Sequence, residues 1–190
     1  MDIYFIEITS KTKDKSHLKK FQHEISRTFL KKLLAEKYGI TSDIKEENGK
    51  PFLPDNSIYF SISHSENLVG IAFDRGKIGL DIEFIKPRNF DDILKHYKIK
   101  KETPVSETEF YQIWTSYEAE YKSGVKNNLK NFRYKNFIGA ISYEKETNSE
   151  FYKTCIEQNN LNFTDLKNCT FNKIEEKNVE FLNLSGLKIK

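Results

Sequence analysis

The sequence predicts an α+β fold of two similar α+β halves, over residues 1–86 and 87–190. Three observations carry this: two stretches with helical three-and-four spacing, several β-branched and aromatic runs broken by turn residues, and the order strand, helix, strands occurring twice. Residues 2–8, DIYFIEI, alternate as a first strand. Between Ser16 and Tyr38, Leu18, Phe21, Ile25, Phe29, Leu33 and Leu34 mark an amphipathic helix, with Ser16 as its N-cap and Gly39 past its end. The turn-rich KEENGKPFLPDN follows, then strands near 57–65, 68–74 and 78–85, joined by hairpins at SENL and DRGK. KPRN at 86–89 divides the halves, and a helical pattern resumes at 90–98. A strong helix over about 106–123 opens on the capping box Ser106–Glu109, carries the stripe Phe110, Ile113, Trp114, Tyr117 and Tyr121, and ends at Gly124. FIGAISYE, EFYKTCIE, CTFNKIEE and VEFLNL read as strands between Asn- and Lys-rich loops.

Composition narrows the class. Hydrophobic residues form 37% of the 190-residue chain and aromatics 14%, enough to bury a core and to exclude wholesale disorder. Charged residues reach 31%, yet the net charge is only +3, which leaves room for local basic patches facing an anionic ligand. Cys155 and Cys169 form neither a metal-ligand spacing nor a disulfide framework. The N-terminus lacks the charge and apolar pattern of a signal peptide, and no apolar run approaches the roughly 20 residues of a membrane span. A reduced cytoplasmic protein is expected.

GLDIE, residues 79–83, poses a chemical question. On a strand Asp81 and Glu83 project side by side while Leu80 and Ile82 enter the core. Two close carboxylates repel unless a cation or donor compensates. On the spacing alone, the solvated polar face of a half-buried strand is the plainer explanation. Trp114, Glu118 and Lys122, spaced i, i+4, i+8, share one helical face, where a surface ion pair is the plain alternative. Ser63-His64 also reads as an ordinary polar strand end.

Taken together, NGKPFLP (48–54), SISHS (61–65), GLDIE (79–83) and WTSYEAEYKSG (114–124) resemble the motifs of the 4′-phosphopantetheinyl transferase superfamily, in the family's order. The resemblance covers roughly residues 25–125. It implies the larger single-chain branch, whose two similar halves have pseudo-twofold symmetry, and hence a monomer. It also implies Mg²⁺-dependent transfer of the 4′-phosphopantetheine arm of coenzyme A to a serine of an apo acyl or peptidyl carrier protein, with release of adenosine 3′,5′-bisphosphate. By resemblance, Asp81, Glu83 and Glu118 hold the metal, which would relieve their repulsion, and Glu118 is also the base. Arg27, Lys50, Ser63 and His64 contact the nucleotide and its phosphates, and Lys122 reaches the pyrophosphate. Lys13, Lys15, Lys19 and Lys20 offer a basic rim for the 3′-phosphate.

Two departures stand out. The family commonly carries Lys just before the helix glutamate, where this chain has Tyr117, and the segment after the last motif is VKNNLKN, so that Lys126 replaces part of the charge. A non-catalytic coenzyme A or carrier-protein binding homologue would keep the fold but lose a carboxylate, and all three are present. A metal-dependent nuclease could use a D-x-E strand, but it has no need of SISHS or the Trp–Glu–Lys helix and calls for a more basic surface. No nucleic-acid partner and no membrane partner is expected.

Overall fold

Alternation along β1 (Asp2–Thr9) sends Tyr4, Ile6 and Ile8 to one side and Ile3 and Phe5 to the other, and both sides are buried. This strand therefore lies inside the molecule, with a layer on each face. The computed structural model describes residues 1–9, 15–47, 49–96, 106–158 and 165–182. Helix α1 (Lys15–Tyr38) is followed by a small hairpin, β2 (Lys45–Glu47) with β3 (Lys50–Phe52), and then β4 (Tyr59–Ser65), β5 (Leu68–Asp74) and β6 (Ile78–Phe84). Next come α2 (Phe90–His96), α3 (Glu107–Ser123), β7 (Leu129–Tyr134), β8 (Phe137–Tyr143), β9 (Glu150–Glu157), β10 (Asn172–Lys173) and β11 (Glu180–Leu182). One sheet has the order β10-β9-β1-β5-β4 and the other β11-β7-β8-β6.

Four layers result. Phe21, Ile25, Phe29, Leu30, Leu33 and Leu34 of α1 pack on one face of the five-stranded sheet, against Tyr4, Ile6, Val69, Ile71 and Phe73. Ile3, Phe5, Leu80, Ile82, Phe132, Tyr134 and Phe151 fill the space between the two sheets. Phe110, Tyr111 and Ile113 of α3 bury against Ile138 and Leu94 on the far side. Each fully buried large apolar side chain contributes about 1.5–3 kcal/mol, so the three clusters together supply most of the driving force for folding.

The mixed α+β class agrees with the sequence, and the order strand, helix, hairpin does occur twice. β1 leads α1 and pairs antiparallel with β5 of the β4–β5 hairpin. β6 leads α3 and pairs antiparallel with β8 of the β7–β8 hairpin. The strand that leads this second run begins at Ile78, and β9 returns to pair in parallel with β1.

Several local expectations change. DRGK does not join a hairpin, because β6 leaves the first sheet and pairs with β8, from Ile78↔Tyr143 to Phe84↔Phe137. LKNFRY, absent from the expected strands, is β7, since Phe132 and Tyr134 supply inter-sheet core. The buried face of α3 is Phe110, Tyr111, Gln112, Ile113, Thr115, Ser116, Ala119 and Ser123, whereas Trp114 and Tyr117 are half-buried and Tyr121 is 79% exposed. Small residues win that face because the helix lies almost on the sheet backbone. The capping box at Ser106–Glu109 and the left-handed Gly124 cap (φ 71°) are both present. Ser16 falls in the first turn of α1, described from Lys15, rather than at its cap. Lys13, Asn48 of NGKPFLP, the ends of the 90–98 and VEFLNL patterns, and the side chains of Lys15 and Ser16 lie outside the described residues.

Gly79 fixes the closest approach of helix and sheet. A Cβ there would stand 2.0 Å from the Ala119 carbonyl oxygen and 2.8 Å from the Ser123 amide nitrogen, both rigid backbone. Gly79→Ala should therefore lower unfolding free energy by about 3 kcal/mol, at the upper end for overpacking. Chemical denaturation checks this, and a loss below about 1 kcal/mol would show that α3 lifts away easily.

Candidate active site

SISHS places Ser61, Ser63 and Ser65 on one side of β4 at strand spacing, and that side faces β6. Each hydroxyl accepts a β6 backbone N–H: Leu80 to Ser61 (2.9 Å), Ile82 to Ser63 (3.2 Å) and Phe84 to Ser65 (3.0 Å). The second and third hydroxyls also donate, Ser63 to Asp81 Oδ1 at 2.9 Å and Ser65 to Glu83 Oε2 at 3.0 Å. Where Ser61 would find a third acceptor the chain has Gly79, the residue over which α3 passes. A ladder of side chains thus clips the edge of one sheet to the edge of the other and orients the two carboxylates.

Asp81 and Glu83 do share a face, and it is the α3 face. Lys122 Nζ lies 2.7 Å from Asp81 Oδ1 and 3.0 Å from the Leu80 carbonyl. Glu83 Oε2 is met by Arg88 Nη2 at 3.1 Å, and the Trp114 side chain adds a hydrogen bond to the same carboxylate. The repulsion expected within GLDIE is therefore relieved by Lys122 and Arg88. Burial still dominates: it pushes the Asp81 carboxyl up, against the pull of Lys122 and Ser63, and pushes the Glu83 carboxyl up, against Arg88. Glu118, one turn before Lys122, is raised by burial first and then by the Asp81 charge, with Glu83 adding a little and Lys122 opposing. All three carboxylates sense one another.

The basic candidates divide. Lys50 of β3 donates to the Lys122 carbonyl at the end of α3, and desolvation followed by the charges of Lys122 and Lys77 lowers its proton affinity. Beside it lies a pocket of about 230 Å³ whose walls include Lys50, Phe52, Tyr59, Lys77 and Ser123. His64 alternates to the exposed side of β4, yet its ring is crowded enough that desolvation, then Lys122, Lys19 and His23, hold it below the usual imidazole value. Arg27 is engaged by Glu46 of β2, and Ser63 spends its hydroxyl on Asp81 and Ile82. Lys20 and Lys126 are exposed. Arg88 and the second role of Ser65 went unread in the sequence: no periodicity marks an arginine in a turn, and a serine hydroxyl announces no partner.

Whether these residues suit a metal ion can be tested on the donors. Asp81 Oδ2 is buried with no hydrogen-bond partner, a free hard-oxygen acceptor beside two further carboxylates, and this suits Mg²⁺ chemistry. Among the described residues, no three His, Cys, Asp or Glu side chains are already drawn into one ligand group. Lys122 and Arg88 hold two of the acids instead.

Asp81, Glu83 and Glu118 gather with Lys122 and Arg88 where the two sheet edges meet α3. Over 40–50% of its length the chain is similar to curated proteins named as 4′-phosphopantetheinyl transferases. No protein-family model matches it. A Haemophilus influenzae protein is 34% identical over 106 residues, 50% of this chain and 45% of its own length. The 4′-phosphopantetheinyl transferase Sfp of Bacillus subtilis is 34% identical over 92 residues, 43% of this chain and 41% of its own. The 4′-phosphopantetheinyl transferase AcpT of Escherichia coli O157:H7 is 34% identical over 87 residues, 40% of this chain and 45% of its own. The chain thus spans less than half the length of these curated relatives.

A carboxylate raised in the folded state binds its proton more tightly there than in the unfolded chain, so its ionisation costs stability as pH rises above the ordinary value near ~4.3. Glu118→Gln removes that cost. In EDTA buffer the variant should melt above wild type at about pH 8, with the gap closing towards about pH 3, where both states are protonated. A variant melting below wild type at the higher pH would contradict the burial and repulsion described for Glu118.

Proposed function

We propose that the protein transfers the 4′-phosphopantetheine arm of coenzyme A to a serine of an apo acyl or peptidyl carrier protein. The observation that carries this reading is the clasp of Asp81 by Ser63 and Lys122, which leaves Asp81 Oδ2 free beside Glu118. Kinship with named 4′-phosphopantetheinyl transferases supports it.

In this reading Asp81, Glu83 and Glu118 hold a Mg²⁺ ion, which supplies charge neutralisation for the pyrophosphate. Lys50, His64 and Lys122 line the phosphate path, joined by Arg27 once it exchanges Glu46 for a phosphate. Ser63 acts by orienting Asp81. Glu118, whose raised proton affinity suits a base, takes the proton of the carrier serine as its oxygen attacks phosphorus. The bond to adenosine 3′,5′-bisphosphate breaks, and that product leaves. The protein works as a monomer with two pseudo-symmetric halves.

A second reading, a coenzyme A or carrier-protein binding homologue with little catalysis, is favoured by one observation: Lys122 and Arg88 already close two of the three carboxylates. Intact mass spectrometry of apo carrier proteins incubated with coenzyme A, Mg²⁺ and this protein separates the two. We expect a mass gain of one phosphopantetheine arm, abolished by EDTA, restored by excess Mg²⁺, and absent with Asp81→Ala. Binding of coenzyme A without modification of any carrier would favour the second reading.

A further inference from the structure

Asp81 and Glu83 leave β6 on the same face, but they are held differently. Asp81 keeps a buried oxygen without a partner. Glu83 receives three donors from three parts of the chain: the Ser65 hydroxyl of β4, Trp114 of α3, and Arg88 from the segment after β6. Ser65 and Arg88 both address Oε2.

Arg88 is placed with care. The hydroxyl of Tyr111, a fully buried residue, accepts the Lys86 N–H at 3.1 Å and donates to the Lys86 carbonyl at 2.8 Å. This pins the backbone two residues before Arg88. The Tyr111 ring also lies 5.7 Å from the guanidinium carbon, within cation–π range. Yet the guanidinium is not fully used. Its Nε is buried without a partner, and a single nitrogen meets Glu83 where a bidentate fork would be the strong arrangement. The contact keeps a positive charge at Glu83 and leaves it replaceable.

We propose that Arg88 is an internal competitor for the divalent cation: by neutralising Glu83 it sets how tightly the Asp81–Glu83–Glu118 group takes up a metal ion. This rests on the metal-dependent reading above. An entering ion must either share Glu83 with the guanidinium, at the cost of like-charge repulsion, or displace it. Either way the affinity falls below that of a free Glu83. Arg88 is thus a positioning residue, acting through Glu83. Tyr111 acts one step further back, by holding Arg88.

The test is a titration of Mn²⁺ into the full chain, with and without coenzyme A, reading free Mn²⁺ by electron paramagnetic resonance. Arg88→Met should bind Mn²⁺ about fivefold more tightly than wild type, the scale expected for loss of a partly exposed ion pair. Arg88→Lys, which keeps the charge, should stay near wild type. Tyr111→Phe, which loses the clasp but keeps the ring, should shift affinity in the same direction by less. Thermal melts report that each variant is folded, and Arg88→Gln carries the same expectation should the methionine variant fail to fold. Unchanged or weaker Mn²⁺ binding in Arg88→Met overturns the proposal. Failure of wild type and variant alike to take up Mn²⁺, even with coenzyme A, overturns both the proposal and the metal-dependent reading. Tighter Mn²⁺ binding in Arg88→Met without modification of any carrier protein would leave Arg88 its role and remove only the transferase reading.

Discussion

The architecture depends on three serine hydroxyls. β4 ends one sheet and β6 ends the other, so each presents a row of unpaired backbone groups at its edge. Ser61, Ser63 and Ser65 cap the β6 N–H groups of Leu80, Ile82 and Phe84, standing in for the carbonyls that a neighbouring strand would supply. Because side chains reach farther than backbone, β6 is held beside the first sheet without being absorbed into it, and it remains free to pair with β8. Each of Ser63 and Ser65 satisfies a backbone donor and a carboxylate at once. A lost hydroxyl would orphan both, at about 1–3 kcal/mol for each buried group. Fold and site are therefore secured by the same atoms.

The α3 face of β6 adds the second constraint. Gly79 lets the helix backbone approach, and Thr115, Ser116, Ala119 and Ser123 keep the contact thin. That depth brings Lys122 to Asp81 and carries Glu118 alongside. It also removes water from three carboxylates, so their charges are only partly compensated. Burying several acids together costs folding free energy, and such an arrangement is retained where a binding or catalytic task uses it. Arg88 and Lys122 limit the cost, and they must share those acids with any cation that enters.

The repeated strand–helix–hairpin unit explains why the site lies where it does. The β4–β5 hairpin carries the serines and β6 carries Asp81 and Glu83, so these side chains meet where the edges of the two sheets lie together. The pairing of β1 with β9 ties Glu150–Glu157 back to Asp2–Thr9, and each sheet contains strands from both sides of residue 86. Ile3 and Phe5 of β1 and Leu80 and Ile82 of β6 bury one another in a single inter-sheet cluster.

Much of this was legible from residue order. The three-and-four spacing of Phe21, Ile25, Phe29 and Leu33 made α1, and Ser106, Glu109 and Gly124 bounded α3, because capping and helical periodicity are local properties of the chain. Strand alternation alone put Asp81 and Glu83 on one face, and four motifs in order carried the resemblance to the 4′-phosphopantetheinyl transferases. What answers their charges was decided by tertiary structure. Whether DRGK closes a hairpin or launches β6 into a second sheet depends on which edge captures Leu80, Ile82 and Phe84, and that is a contact across 19 residues or more. Which face of α3 is buried depends on the absent side chain of Gly79, not on the Trp114–Tyr117–Tyr121 stripe. The partners of Glu83 come from β4, α3 and the segment after β6, and only packing brings them together. Periodicity records which way a side chain points, and distance in space decides what it meets.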